Sequence, residues 1–242
     1  MPKEHNPQHI YGEKKRIGKL SQIREFVFGA QDGLLVPLGV VSSVAGAFNN
    51  NHIVMVAGIS EALAGAFSMA TGAYLASNAE RQIHHAELQR EQSEIQQYPK
   101  DEKQEMNLLF EREGMSKTDA ITIASILWKY KHAFFATMVQ KELGIDPEPT
   151  NTPFGDALIV GSSYLVAAVI PLFPYFFLTG KVAIMTSIFA TVVALFCIGI
   201  LKAKFALLSY IKSGLEVMLI GAGSGIGGYF IGMVLPHLLG IK

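Results

Sequence analysis

The sequence contains little charge and almost no cysteine. Only 17% of its 242 residues are charged, whereas 50% are hydrophobic, and the mean hydropathy is +0.32. Soluble domains of ordinary composition carry about 25% charged residues, so this composition excludes that class and indicates a membrane protein. The single cysteine, Cys197, lies in an apolar run and can form neither an intrachain disulfide nor a thiolate cluster.

The charged residues that are present are unevenly distributed. Residues 78–150 hold 13 of the 20 acidic residues but only 9 of the 20 Lys and Arg. That stretch therefore has a net charge of about −4 and the rest of the chain about +4, although the formal net charge is zero. Because apolar runs lie on both sides of the stretch, the pattern predicts a charged module on one side of a membrane.

Five apolar runs are long enough to cross a bilayer, which needs about 20 residues for about 30 Å of hydrocarbon. They are 23–48, 53–77, 154–177, 182–201 and 215–239. The first run exceeds the short apolar core of a cleaved signal peptide and contains Asp32, so we interpret it as a retained span. The residues before it, 1–20, are polar and basic, and either lie against anionic headgroups or act only as a topology signal.

The predicted fold class is all-α: a polytopic membrane protein with five transmembrane helices and a three-helix insert. The predicted segments are the N-terminal arm (1–20), the first two transmembrane helices (21–77), the insert (78–150) and the last three transmembrane helices (151–242). Lys and Arg are concentrated before the first span and between the fourth and fifth, whereas the opposite flanks contain only Lys181 and Lys242. The positive-inside rule then places the N-terminus and the insert in the cytoplasm.

Breaks in the pattern divide the insert into three predicted helices. The first continues from the second span to about Gln97, and the second covers Asp101–Glu113 before Gly114. Ser116, with Asp119 three residues later, begins the third helix as a capping box. We expect that helix to run without interruption to Leu143.

One face of the first insert helix carries a row of carboxylates. At 100° per residue, Glu80, Glu87, Glu91 and Glu94 lie within about 60° of one another, with His84 at the edge. Like charges four residues apart destabilise a helix by a few tenths of a kcal/mol unless a cation compensates them. Glutamates suit any exposed helix, but these are stacked rather than interleaved with lysines, which favours a cation site.

Further metal-ligating side chains occur on the other two insert helices. They are Glu102, Glu105, Glu113, Met138 and Glu142. Carboxylates combined with a thioether favour a first-row transition ion over Mg²⁺ or Ca²⁺. The candidates are Fe²⁺, Mn²⁺ and Zn²⁺, whose ligand preferences overlap.

Ionisable residues inside the predicted spans are few, and such residues indicate function because a charge in hydrocarbon is costly. Asp32 lies eight residues after Arg24, about 12 Å below the cytoplasmic interface, and Glu61 lies about 14 Å from the opposite face. Since the first two spans are antiparallel, Met69 returns to about the depth of Asp32. We expect a metal ion entering from the cytoplasm to meet Asp32 and Met69 first and then Glu61.

Three motifs follow one another along the chain. They are Phe-Gly-Ala-Gln-Asp-Gly-Leu at 28–34, Ser-Met-Ala-Thr-Gly-Ala-Tyr-Leu at 68–75, and Gly-Ser-Ser-Tyr at 161–164 with Ile-Pro-Leu-Phe-Pro-Tyr at 170–175. With the five-span layout, they resemble the vacuolar iron transporter family, which includes the yeast vacuolar calcium and manganese transporter group. The chain looks like a prokaryotic-type member with a cytoplasmic metal-binding domain, and the likeness covers nearly all of it after the N-terminal arm.

This resemblance implies a homodimeric metal/proton antiporter that exports Fe²⁺ from the cytoplasm. It implies a transport pathway at the positions of Asp32, Glu61 and Met69. It further implies metal ligands in the insert, which by position are Glu91, Glu94, Glu102, Glu105, Met138 and Glu142. Three weaker candidates rest on the helical-face pattern alone: Glu80, Glu87 and Glu113.

The expected partners are divalent metal ions, protons, membrane lipid and a second copy of the chain, without nucleic acid. No prosthetic group is expected, since Fe²⁺ is the substrate, with Mn²⁺, Zn²⁺ or Co²⁺ as alternatives. The expected location is the cell (inner) membrane in a prokaryote or the vacuolar membrane in a eukaryote.

The main alternative to transport is a membrane-tethered di-iron oxidase. Ferritin-like di-iron sites need a Glu-x-x-His pair from each of two helices, whereas Glu80 and His84 are four residues apart and are not repeated. We therefore expect no enzyme. A Mn²⁺-preferring transporter is a second alternative, and a metal sensor a third, although a sensor leaves two intramembrane carboxylates without a role.

Overall fold

The computed structural model describes residues 7–48, 50–145, 152–206 and 208–238, and within these ranges all regular structure is helical. The elements are α1 (Pro7–Ala47), α2 (Asn51–Gln97), α3 (Pro99–Arg112), α4 (Lys117–Trp128), α5 (Lys131–Met138) with the π-helical turn Val139–Leu143, α6 (Pro153–Leu172), α7 (Pro174–Phe177), α8 (Gly180–Ala206) and α9 (Tyr210–Leu238). The predicted N-terminal arm is helical from Pro7 as the first part of α1, and residues 1–6 lie outside the described ranges.

The chain forms two compact units. The membrane unit comprises residues 1–75 and 151–242, and the acidic unit comprises residues 76–150. Four stretches of the described residues are long and apolar enough to cross a membrane: Gln22–Ala47, Asn51–Gln97, Pro153–Phe177 and Gly180–Phe205. The fifth predicted span falls in α9, where several side chains lie outside the described residues. The count of five therefore stays a prediction.

Close approach of α1 to α6 organises the membrane unit. A Cβ built on Gly29 would lie 3.0 Å from the Cα of Val160, and one on Gly33 would lie 2.8 Å from the Cα of Tyr164. Gly161 of α6 approaches α2 in the same way, since its Cβ would lie 2.8 Å from that of Ala70. Small residues permit such contacts between membrane helices, and here they let the backbones of α1 and α2 approach α6 closely.

Gly33→Ala is expected to destabilise the membrane unit, because the new methyl group would meet the backbone of Tyr164 rather than a movable side chain. Overpacking of this kind costs about 1–3 kcal/mol. The measurement is thermal stability of the detergent-solubilised protein by size-exclusion chromatography after heating. Gly39→Ala in the same helix is the matched control, since among the described residues no atom beyond the adjoining backbone of its own helix lies within 4 Å of its Cβ position. Equal melting temperatures for the two variants would contradict the packing argument.

Three hydrogen bonds from two side chains hold the end of α6 and the short helix α7. The helix bond pattern ends where Pro171 and Pro174 remove backbone donors, and Ser187 Oγ of α8 donates to the Pro171 carbonyl at 2.7 Å. Asn51 Nδ2 at the start of α2 donates to the carbonyls of Tyr175 (2.7 Å) and Leu178 (2.8 Å). These bonds satisfy carbonyls that an interrupted helix would otherwise leave without donors.

In the acidic unit, the predicted end of the first helix at Gln97 is confirmed. The capped start of the helix after Ser116 is also confirmed, because Ser116 Oγ accepts a hydrogen bond from the Asp119 amide. Gly114 ends the preceding segment with a φ of 95°, which favours glycine over other residues.

The third predicted helix requires a correction, since it is divided into α4 and α5 with a break at Lys129 and Tyr130. The rings of Trp128 and Phe134 pack edge to face with centroids 4.9 Å apart. On one straight helix, six residues would separate these side chains by about 9 Å along the axis and about 120° around it. The break lets both rings contribute to a core that also contains Met106 and Met138.

Candidate functional site

Five glutamates of the acidic unit form a group that we call the carboxylate cluster. Its members are Glu91, Glu94, Glu102, Glu105 and Glu142. Glu91 and Glu94 come from α2, Glu102 and Glu105 from α3, and Glu142 from the π-helical turn. Glu91 and Glu102 are the buried members, with 2% and 6% of their surface exposed. The structure therefore brings all five glutamates predicted from family resemblance near one another.

Burial and mutual repulsion raise the proton affinity of the cluster. Burial, followed by the charges of Glu142 and Glu102, raises the pKa of Glu91 to about 8. Burial and then the charge of Glu105 raise the pKa of Glu102 to about 7. The pKa of Glu142 is raised by the same causes, against a hydrogen bond with Glu91 that lowers it. A divalent cation would relieve this repulsion.

The cluster lacks partners for two of its buried oxygens. Glu91 Oε1 and Glu102 Oε2 accept no hydrogen bond from the described residues. In the same part of the chain, no three His, Cys, Asp or Glu side chains are arranged closely enough to hold a metal ion. The cluster is thus an electrostatic site rather than a preformed coordination shell, and metal ligation by these glutamates stays a prediction.

Met138, the predicted thioether ligand, is fully buried in the apolar core with Met106, Phe110 and Phe134. Packing accounts for its burial, so its role as a ligand stays a prediction. Met106 is an equally buried thioether on α3.

The three weaker candidates are placed differently from the cluster. Glu80 is exposed and lies eleven residues, about 16 Å of helix, before Glu91. Glu87 is 3.9 Å from Arg90, which also forms an ion pair with Glu94 at 3.1 Å. Glu113 accepts a hydrogen bond from Lys141 Nζ at 2.6 Å.

A second candidate site lies in the membrane unit around Glu61. Glu61 Oε1 accepts a hydrogen bond from the Tyr164 hydroxyl at 2.5 Å, and Oε2 is buried without a hydrogen-bond partner among the described residues. A Cβ on Gly65 would lie 2.7 Å from Glu61 Oε1 and would also contact the Tyr164 ring. Because Gly65 has no side chain, there is space at this position for the Glu61 carboxylate and the Tyr164 ring.

Asp32 and Glu61 approach the same tyrosine from two helices. Gly33, the residue after Asp32 on α1, packs on the Tyr164 backbone. Asp32 and Met69 are each half-buried, and Met69 is about two turns beyond Glu61 on α2. Glu61 is therefore bonded to Tyr164 and Asp32 lies beside a residue that packs on it, whereas the described residues show no contact of Met69 with either carboxylate.

Tyr164 and Gly65 are the residues that sequence reasoning did not identify. Tyr164 belongs to the Gly-Ser-Ser-Tyr motif, and only 1% of its surface is exposed. A tyrosine buried in an apolar helix needs a hydrogen-bond partner, and that requirement was the available signal. Its acceptor, Glu61, lies on another helix, so the pairing depends on how α2 packs against α6.

Comparison with known proteins shows a family match over most of the chain. The VIT family model matches residues 23–233. Vacuolar iron transporter 1 of Tulipa gesneriana is 32% identical over 219 residues, which cover 90% of this chain and 88% of the relative. Vacuolar iron transporter 1 of Arabidopsis thaliana is 30% identical over 216 residues, covering 89% and 86%. The vacuolar iron transporter of Plasmodium falciparum is 30% identical over 237 residues, covering 94% and 86%.

Proposed function

Because the chain belongs to the VIT family, we propose that this integral membrane protein exports Fe²⁺ from the cytoplasm in exchange for protons. Relatives named as iron transporters support a metal transporter. They also fit a protein that moves its substrate without converting it. The proposal further specifies Fe²⁺ as the preferred ion, protons as the exchanged ion and a homodimeric assembly.

The observation that carries the proposal is Glu61, a carboxylate on a membrane helix that accepts a hydrogen bond from Tyr164, with Asp32 next to the glycine that packs on the same tyrosine. Glu61 has one oxygen held by the tyrosine and one buried oxygen free of protein donors in the described part of the chain. A bare carboxylate in such surroundings is costly. It is stable when it holds a proton or a metal ion, and it is least stable with neither.

Competition between the proton and the metal ion provides the coupling. A metal ion that enters from the cytoplasm displaces protons from Asp32 and Glu61, and protons from the other side displace the metal ion in turn. Tyr164 keeps the Glu61 carboxylate oriented in both states through its hydroxyl. One shared site is enough for the two fluxes to be linked, because occupation by one ion excludes the other.

The carboxylate cluster supplies the capture step in this proposal. Five carboxylates lie near one another in the acidic unit and repel one another. Their combined negative charge attracts divalent cations, and a bound cation relieves the repulsion. Binding at the cluster raises the local metal concentration without deciding which ion crosses. Loss of the cluster should then reduce metal binding strongly and transport only in part.

Reconstituted protein tests this proposal directly. Liposomes that contain the protein, with an acidic interior and external Fe²⁺ under anaerobic conditions, should accumulate Fe²⁺ and lose internal protons at the same time. Collapse of the pH gradient by a protonophore should stop Fe²⁺ uptake. Added Mn²⁺, Zn²⁺ or Co²⁺ should reduce Fe²⁺ uptake to the extent that the protein also accepts that ion. Fe²⁺ uptake that continues unchanged without a pH gradient would contradict proton exchange. Oxygen consumption coupled to Fe²⁺ oxidation by the purified protein would instead support the oxidase alternative.

A further inference from the structure

Lys141 lies beside Glu142 in the π-helical turn but faces a different part of the acidic unit. We propose that the ion pair between Lys141 and Glu113 is a clasp that positions the Glu142 carboxylate in the carboxylate cluster. The inference rests on the capture role proposed above. It makes Lys141 and Glu113 positioning residues, and it gives Glu113 a function other than metal ligation.

The clasp connects parts of the chain that are far apart in sequence. Lys141 Nζ contacts both carboxylate oxygens of Glu113, with the Oε1 contact at 2.6 Å, and the two residues are 28 positions apart. The Lys141 side chain is 23% exposed, so solvent screens this pair less than a fully exposed one. Its ammonium group also lies 4.9 Å from the Phe110 ring centroid, and a cation over an aromatic face adds attraction. Two groups, the Glu113 carboxylate and the Phe110 ring, therefore hold the Lys141 side chain at the end of α3.

The backbone between the clasp and the cluster is a π-helical turn, Val139–Leu143. Such turns are rare, and they occur frequently at functional sites. Met138 and Val139 anchor its beginning in the core, and Gly144 ends it with a φ of 66°. Lys141 is the only residue of the turn for which the described side chains provide an ion pair to another element.

Adjacent residues on a helix point about 100° apart, so fixing the direction of Lys141 also fixes that of Glu142. The Glu142 carboxylate lies on the cluster side of the turn, near enough to Glu91 and Glu105 to interact with their carboxylates. Without the clasp, the turn is free to rotate or to revert to α-helix, and either change moves Glu142 relative to Glu91. The cluster then loses one of its five carboxylates.

The clasp and simple electrostatics predict opposite changes in the affinity for a divalent cation when Lys141 is removed. Removing a positive charge near a group of carboxylates should raise the affinity for a divalent cation if charge alone matters. Removing Lys141 should instead lower the affinity if its role is to position Glu142. Residues that orient metal ligands typically change affinity by about 10–100-fold.

The experiment titrates the full-length protein in detergent with Mn²⁺ and follows the free aqua ion by electron paramagnetic resonance. Lys141→Met should weaken Mn²⁺ binding at the cluster about tenfold, and Lys141→Arg should restore most of it. In the Glu142→Gln background, Lys141→Met should produce no further loss. Lys117→Met is the matched control, because it removes an exposed charge from the same unit and should leave affinity unchanged or slightly higher.

The outcomes separate the clasp from the proposed capture role. If Glu91→Gln with Glu102→Gln leaves Mn²⁺ binding intact, the cluster does not capture metal and the capture role fails. If that double variant loses binding but Lys141→Met binds as tightly as the wild type, only the clasp is wrong. Additive losses from Lys141→Met and Glu142→Gln, on a logarithmic scale, would also overturn the clasp, because independent effects add.

Discussion

Glu61→Gln is expected to lower the initial rate of proton-driven Fe²⁺ uptake at least about 100-fold. Glutamine keeps the size of the side chain and an oxygen that can accept from Tyr164, but it carries no charge and releases no proton. In the proposed mechanism Glu61 and the bound metal ion form a buried charge pair. Loss of one partner from such a pair costs about 3–5 kcal/mol, and every 1.4 kcal/mol is about tenfold. The measurement is Fe²⁺ uptake and internal pH in the same proteoliposomes.

Two further variants define what the Glu61 result means. Tyr164→Phe removes the hydrogen bond to Glu61 Oε1 but keeps both carboxylates, so it should reduce transport by a smaller factor, about 10-fold, at roughly 1.5 kcal/mol for a charge-assisted hydrogen bond. Glu216→Gln is the control, because this acid is exposed and 3.8 Å from Lys202, and it should transport as the wild type does. Normal uptake by Glu61→Gln would remove Glu61 from the pathway.

The second large effect is expected in the pH dependence of the acidic unit. The pKa of Glu91 is about 8 and that of Glu102 about 7, both above the ordinary value of 4.5. The folded, metal-free protein therefore retains protons that the unfolded chain releases, and its stability falls as pH rises. The loss begins near pH 4.5, continues to about pH 7 for Glu102 and about pH 8 for Glu91, and then levels off.

The loss of unfolding free energy is about 1.4 kcal/mol for each pKa unit. Structural relaxation of the acidic unit reduces the total to roughly a few kcal/mol. Hydrogen–deuterium exchange of residues 91–142 in the full-length protein should show faster exchange at pH 8 than at pH 6, after correction for the intrinsic rate. Glu91→Gln with Glu102→Gln should abolish the difference, whereas Glu111→Gln on the same helix as Glu102 should retain it. Protection that increases from pH 6 to pH 8 in the metal-free protein would refute the raised pKa values.

Metal ions should reverse this pH dependence. Binding requires deprotonated carboxylates, so affinity rises with pH, and a saturating ion stabilises the fold by about 2.7 kcal/mol at one hundred times its dissociation constant. At pH 8, the amide hydrogens of the acidic unit would then exchange slowly when Mn²⁺ is present and rapidly when it is absent. The same ion at pH 5 should have little effect, since Glu91 and Glu102 hold protons there.

The sequence predicts local features of this fold better than pairings between helices. Periodicity places Glu91 and Glu94 on one face, and turn chemistry predicts the ends of helices at Gln97 and Ser116. The break at Lys129 and Tyr130 has no proline or glycine to indicate it, because packing of Trp128 on Phe134 causes it. Tertiary contacts of this kind override helix propensity.

In the candidate sites too, the sequence predicts local features but not the pairings between helices. The residue types and the 3.6-residue period suggest which glutamates can bind a cation, but not that Glu142 meets Glu91 or that Tyr164 donates to Glu61. Those pairs come from different helices, 51 and 103 positions apart in the chain. Lys141 and Glu113 are likewise each ordinary charged residues in sequence, and only their contact in the fold distinguishes Glu113 from the cluster glutamates.

Trp128 is the sole tryptophan of the protein and lies in the acidic unit, with Lys131 Nζ 3.2 Å from its ring centroid. Indole emission from the whole molecule therefore originates in the acidic unit alone, even in lipid vesicles. Because Trp128 packs on Phe134 in the core that also holds Met138, its spectrum is a built-in optical signal of order in that core. Metal capture and transport can then be followed in one sample, without a label, as two separate time courses.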